Sequence, residues 1–207
     1  MDHQPRHEAD LKGRVLRDKG GFLSPVVSVV DHDGRPAVLK DYRGKNPVTR
    51  GLIAPSLVKR EYAVLRHLEG IPGIPKAYAV VEKRALLLEY IEGKTINKFK
   101  AGELPDRVYE RLVDLVRAMH ERGVVHLDLR QRKNILIAGE QPWLIDFANA
   151  MRGKMTSRLR PIDESALLKF KQRNWPHLMT DADREVLKSH KFLRKFWIFS
   201  PRGRSVR

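Results

Sequence analysis

Glu61 falls on the apolar stripe of a helix, and no other feature restricts the fold as much. Helix signals begin near Pro55 and Ser56. Val58, Leu65 and Leu68 share one face, with Tyr62 beside them. Glu61 lies three residues from Val58, four from Leu65 and seven from Leu68, so it stands on the core side. Gly70 and Pro72 end the helix. An isolated buried carboxylate is expensive, so Glu61 needs a cation within reach. Lys40 is the natural candidate. It closes the run Ala37-Val38-Leu39-Lys40, a strand in which it alternates with apolar neighbours and points into a cleft.

The pattern around this pair divides the chain. Residues 1–19 read as a charged, mobile arm with little apolar content. Residues 20–92 read as β-rich with one inserted helix. Val26–Val30 and Ala37–Leu39 flank a hairpin turn at Asp31-His32-Asp33-Gly34, and Ala77–Val81 and Ala85–Tyr90 form a second strand pair. Residues 93–185 read as mostly helical. Pro105 and Asp106 open a helix whose buried face carries Val108, Leu112, Leu115 and Met119, and Gly123 stops it. A turn His126–Asn134, strands Ile135–Ile137 and Trp143–Ile145, and helical stretches Ala166–Phe170 and Asp181–Phe199 follow. The two parts meet near Tyr90–Gly93. The expected fold class is therefore α+β, in two lobes with a ligand cleft between them.

Composition narrows the function. Among 207 residues there is no cysteine, which excludes a disulfide framework, Cys-ligated metal and a Cys nucleophile. No run approaches the roughly 18 apolar residues of a membrane span, and Met1–Gly20 holds no secretory apolar segment. A cytoplasmic protein is expected. Lys plus Arg number 41 against 25 Asp plus Glu, a net charge of +16, which favours an anionic partner: nucleic acid, a membrane surface or a phosphorylated substrate. Residues 186–207 carry seven basic and no acidic residues, interleaved with Phe192, Phe196, Trp197 and Phe199. Such a tail suits a nucleic-acid surface, an interfacial anchor at a membrane, or docking of a terminal helix on the core.

Chemistry concentrates at four places in fixed order: Lys40, Glu61, the turn His126-Leu127-Asp128-Leu129-Arg130-Gln131-Arg132-Lys133-Asn134, and the strand end Leu144-Ile145-Asp146-Phe147-Ala148. Lys40 offers a compact positive charge to phosphates. Asp128, on a turn between buried segments, suits acceptance of a hydroxyl proton. Asn134 and Asp146 offer the hard oxygen donors that Mg²⁺ prefers. Arg130 suits charge stabilisation on a transferring phosphoryl group. His126 reads as a packed residue bracing the turn, and the other histidines show no metal-ligand spacing.

This ordered set, over roughly Gly20 to Ala150, resembles the protein-kinase-like superfamily. Lys40 matches the V-A-I-K lysine, Glu61 the helix glutamate, His126, Asp128 and Asn134 the catalytic loop, and Asp146-Phe147 the D-F-G motif. The resemblance implies a two-lobed kinase-like fold, ATP and Mg²⁺ as cofactors, and phosphoryl transfer to a hydroxyl. It also implies that the Glu89 carbonyl and Ile91 N–H meet the adenine edge, and that Gly20 and Gly21 lie over the phosphates.

Four departures define the branch. The glycine loop is reduced to Gly20-Gly21, and D-F-G is D-F-A. Asn134 follows Asp128 by six positions where the motif has five, so the loop has to bulge. Only about sixty residues follow Asp146, with no A-P-E motif. The small size points to the small atypical branches; the run Leu144-Ile145-Asp146-Phe147-Ala148-Asn149-Ala150, the short second lobe and the basic tail resemble the bacterial lipopolysaccharide core kinases first, and RIO-type small protein kinases stand next. The first reading implies a Kdo or heptose acceptor on an anionic glycolipid and a peripheral station at the inner membrane surface, the second a protein serine or threonine. A non-catalytic relative holding nucleic acid or anionic lipid is a third reading.

Overall fold

The computed structural model describes residues 13–17 and 24–193. Gly20, Gly21 and the tail beyond Leu193 lie outside the described residues.

The N-terminal lobe is a five-stranded antiparallel sheet. Its strands are β1 (Val15–Arg17), β2 (Val26–His32), β3 (Arg35–Asp41), β4 (Ala77–Val81) and β5 (Ala85–Glu89), in the order β1-β2-β3-β5-β4. The β2–β3 turn places Asp33 and Gly34 at φ +52° and +80°, the left-handed pair that a tight hairpin needs. The Asp31 carboxylate accepts the Gly34 N–H at 3.1 Å. β1 lies within the stretch read as an arm. Its Val15 and Arg17 pair with Ser28 and Val27, so those three residues belong to the sheet. Helix α1 (Ala54–His67) buries Ala54, Val58, Glu61, Val64 and Leu65.

The C-terminal lobe holds helices α2 (Asp106–Glu121), α3 (Thr156–Asn174) and α4 (Asp181–Leu193). A three-stranded sheet combines β6 (Lys94–Thr95), β8 (Ile135–Ala138) and β9 (Gln141–Leu144). A short ladder pairs β7 (Val124–Val125) with β10 (Met151–Arg152). α2 buries the expected Val108, Leu112, Leu115 and Met119. α3 starts ten residues before the Ala166 that patterning marks. The reason is that its buried set includes Thr156, Asp163, Ser165 and Asn174, polar residues that erase an apolar period. α4 runs through residue 186, the boundary expected for the basic tail. Among the described residues no helix is long and apolar enough to cross a membrane.

The lobes join at more than the linker 90–93. The Arg122 guanidinium at the end of α2 donates to the His67 and Glu69 carbonyls at 3.1 and 2.8 Å, and His67 Nε2 returns a bond to the Arg122 carbonyl at 2.9 Å. Further along, the Leu144 N–H donates to the Gly73 carbonyl at 2.9 Å. Gly73 sits at φ +96°, where a Cβ would stand 2.5 Å from the Pro142 carbonyl oxygen.

Candidate active site

Strand β3, helix α1 and the turn after β9 meet at Lys40. Its ammonium lies 2.7 and 2.9 Å from the Glu61 carboxylate oxygens and 2.8 Å from Asp146 Oδ1. Lys40 and Glu61 are 5% and 2% exposed, so neither could be buried without the other. Burial pulls the Lys40 ammonium toward deprotonation, but the Glu61 and Asp146 charges outweigh it and hold the group above its ordinary value. Burial likewise pushes the Asp146 carboxyl up, and the Lys40 charge and hydrogen bond overcome this and hold it at about 2. Glu61 Oε1 also accepts the Phe147 N–H at 3.1 Å. One carboxylate therefore ties β3, α1 and the turn after β9 together.

That turn explains the tolerated D-F-A. The left-handed conformation falls on Asp146, at φ +66° and ψ +67°. Aspartate visits this region more readily than most residues. Phe147–Asn149 continue as a 3-10 turn with ordinary φ, so Ala148 needs none of glycine's freedom. Arg60 of α1 donates to the Ala148 carbonyl and fixes the turn from above.

The turn His126–Asn134 is braced from below by a residue that patterning did not single out. Asp163 of α3 is 1% exposed, and its carboxylate accepts the His126 N–H at 2.8 Å and the Leu127 N–H at 2.9 Å. It also meets His120 Nε2 at 3.1 Å. These bonds hold Leu127 at φ +65°, a conformation costing roughly 1–2 kcal/mol for a residue with a Cβ. His126 is buried; its Nδ1 accepts the Asp128 N–H at 3.3 Å and its Nε2 donates to the Ile145 carbonyl at 3.1 Å. Those two partners set the orientation of the ring.

Asn134 reaches Asp128 despite the extra residue. The surplus is taken up by the 3-10 turn Arg132–Asn134. Asn134 Nδ2 then donates to both the Asp128 carbonyl and its Oδ2, at 3.1 Å each. Gln131 Nε2 donates to the same carboxylate at 2.8 and 2.6 Å. With its amide nitrogen engaged, Asn134 presents Oδ1 as the end able to ligate a metal. Among the described residues no cluster of three His, Cys, Asp or Glu could cage an ion. Asp146 with Asn134 fits Mg²⁺, which binds through one or two protein oxygens plus phosphates and water.

Between the lobes lies a cavity of about 310 Å³. Val27, Val38, Leu88 and Leu136 supply apolar walls, and Lys40, Asn134 and Asp146 supply the polar end. Glu89 and Ile91 line it at the linker. Two cations in the lining were not anticipated. Lys133 enters through the longer loop, and Arg17 of β1 brings Nη1 to 4.0 Å from Asp146 Oδ2. Arg17 escaped notice because it sits in a polar stretch without strand alternation. Neither Asp128 nor Arg130 lines this cavity; Asp128 adjoins it through Asn134, and Arg130 turns to α3, where its Nη2 donates to Ser165 Oγ at 3.3 Å.

A family model for the RIO domain matches residues 35–179. The chain belongs to the RIO domain family. Its fold is similar to that of the Rio2 kinase of Chaetomium thermophilum in an ADP/Mg²⁺-phosphoaspartate complex, with a TM-score of 0.62 over 87% of this chain and 62% of that one, at 16% identity. The fold is thus the two-lobed α+β kinase-like one. Over 104 residues the RIO-domain chain is 30% identical to the serine/threonine-protein kinase PEPKR2 of Arabidopsis thaliana, covering 46% of this chain and 22% of the relative. Over 74 residues it is 40% identical to a probable bifunctional tRNA threonylcarbamoyladenosine biosynthesis protein of Methanosarcina barkeri, covering 36% and 13%. The chain thus spans less than a quarter of the length of either relative.

Proposed function

We propose that this RIO-domain chain is an atypical serine/threonine protein kinase that moves the γ-phosphoryl group of Mg·ATP to a protein hydroxyl. The observation that carries the reading is the Lys40–Glu61–Asp146 cluster at the polar end of an apolar cavity, beside an Asp128 held on a braced loop. The family match supports the protein-kinase reading, so the lipopolysaccharide-core reading drawn from chain size ranks behind it.

The adenine lies among the apolar walls, with its polar edge toward the linker residues Glu89 and Ile91. Lys40, oriented by Glu61, meets the α- and β-phosphates, and Arg17 and Lys133 add positive charge where the glycine loop is reduced. Asp146 and Asn134 Oδ1 are the residues that would hold Mg²⁺, and the ion would supply positive charge toward the phosphates. Asp128 orients the acceptor hydroxyl and takes its proton as the new O–P bond forms and the bond to ADP breaks. Gln131 and Asn134 fix the carboxylate for this role. Action in the cytoplasm, where ATP is plentiful, belongs to the same reading.

The test offers γ-labelled ATP with Mg²⁺ to a generic protein acceptor and to a lipopolysaccharide fraction in parallel. Label in protein, lost in Asp128→Ala with ADP affinity unchanged, is the expected result. Label in the glycolipid alone would overturn the protein-kinase reading.

A further inference from the structure

Strand β1 is irregular where it meets the cleft. Val15 stands opposite Ser28 and Arg17 opposite Val27, so the register slips between them and Leu16 is the extra residue of a bulge. Side chains of a regular strand alternate between its faces, so neighbours do not share one. Leu16 and Arg17 both line the cavity between the lobes, and the slip is the reason. It aims Arg17 at the Lys40–Asp146 pair. The Arg17 Nη1 stops 4.0 Å from Asp146 Oδ2, longer than a hydrogen bond. The other oxygen, Oδ1, is engaged by Lys40 at 2.8 Å. The Arg17 Nε is buried with no hydrogen-bond partner among the described residues, which costs free energy. Arg17 is thus held near a carboxylate by charge without being seated on it.

We infer that Arg17 clamps the β- and γ-phosphates of the nucleotide, and that this fixed cation keeps part of the nucleotide's hold when Mg²⁺ is absent. The inference rests on the reading of the cavity as an adenine-nucleotide site. Glu61 and Asp146 together outweigh the single positive charge of Lys40, so that cluster repels a phosphate chain unless a cation comes with it. Arg17 cancels the surplus. A guanidinium is planar and permanently charged, and its fork of N–H donors matches the oxygens of a phosphate in pairs. The Nε–H of Arg17 is a donor that the present pose leaves unspent. Lys40 reaches Asp146 on the Oδ1 side and Arg17 on the Oδ2 side, so the two cations bracket the polar end of the cavity. A ligand with one carboxylate satisfies one of them, whereas a chain of phosphates spans both. The task falls to a side chain because Gly20-Gly21 stands where G-x-G-x-x-G would bring the backbone over the phosphates.

Calorimetric titration of the full chain with ADP and with AMP, each in Mg²⁺ and in EDTA, tests the clamp. Removing Mg²⁺ is expected to weaken ADP binding at least about tenfold more in Arg17→Met than in the wild type, the worth of one charged hydrogen bond. Arg17→Lys, which keeps the charge and loses the fork, falls between them. AMP has no β-phosphate, so its affinity for Arg17→Met stays within about twofold of the wild type, which also reports an intact fold. Equal Mg²⁺ dependence in the wild type and Arg17→Met overturns the clamp. Tighter binding of ADP with Mg²⁺ by Arg17→Met also overturns it, and makes Arg17 a competitor of the metal at Asp146. So does a loss of AMP binding as large as the loss of ADP binding, which reduces Arg17 to a support for β1. If the wild type binds neither nucleotide, the adenine-nucleotide reading falls and takes the clamp with it. If the wild type binds both and Arg17→Met binds them alike, the clamp alone falls.

Discussion

Asn134 Nδ2 donates to both the main-chain carbonyl and the carboxylate of Asp128, at 3.1 Å each, across a loop one residue longer than the kinase motif. The same side chain thus positions the acceptor-facing carboxylate and offers its other end to Mg²⁺. Asn134→Leu keeps the branched shape and removes both functions. The expected result is a loss of about 1–3 kcal/mol in urea unfolding, because a partly buried carbonyl loses its donor, and roughly a 10- to 100-fold weaker dependence on Mg²⁺ for nucleotide binding. Lys133→Asn, which restores the motif's spacing on paper, rescues neither in the Asn134→Leu background. Rescue would show that residue 133 is the working position.

Lys40 and Glu61 form a nearly dry pair. Lys40→Met leaves the Glu61 carboxylate buried beside Asp146, and a loss of about 3–5 kcal/mol is expected. Adding Glu61→Leu returns most of that stability, since apolar side chains replace both charges. It does not return nucleotide binding. A double-mutant cycle by chemical unfolding, read beside ADP titration, checks both halves.

Acid should expose the same cluster. Asp146 is held at about 2 against an ordinary 3.8, so between those values the unfolded chain binds the extra proton. Stability therefore rises with pH through this window. The contribution, about 2 kcal/mol, is complete above pH 4 and lost as pH falls toward 2. Lys40 acts oppositely: its raised value keeps its contribution full below 10.5, with loss only above it. Unfolding midpoints from pH 2 to 8 should show the acid limb in the wild type and a shallower one in Asp146→Asn.

Asp163 touches no expected reactant, and its replacement should still be felt in turnover. In Asp163→Asn the amide supplies one acceptor where His126 and Leu127 present two N–H donors. The strained Leu127 relaxes and Asp128 shifts. A loss of kcat on the order of 100-fold is expected, with KM for ATP little changed. A fall confined to stability, with kcat intact, would reduce Asp163 to a packing role.

Legibility in the sequence followed the type of constraint. Lys40 and Glu61 were readable because a buried charge declares its need for an opposite one. The β2–β3 hairpin was readable from its Asp-Gly turn, and α2 from an unbroken apolar face. Asp163 was not, because its partners are main-chain N–H groups that every residue carries, and polar α3 has no period to flag. Arg17 was hidden in a three-residue edge strand, too short for alternation to register. Arg130 was assigned from its distance to Asp128 along the chain, which says nothing of the direction its side chain takes; Ser165 decides that.

The ties between the lobes have a mechanical consequence. A body hinged on one flexible strip can swing, twist and slide. Here the linker at 90–93 is joined by the clasp between Arg122 and the end of α1, and by the Gly73–Leu144 bond. The bonds from Lys40, Glu61 and Arg60 to the Asp146 turn add further fastenings between the same two bodies. Bodies pinned at several separated points cannot swing freely about any one of them, so the nucleotide mouth is a preset opening in which the Lys40 strand holds its heading toward Asp146.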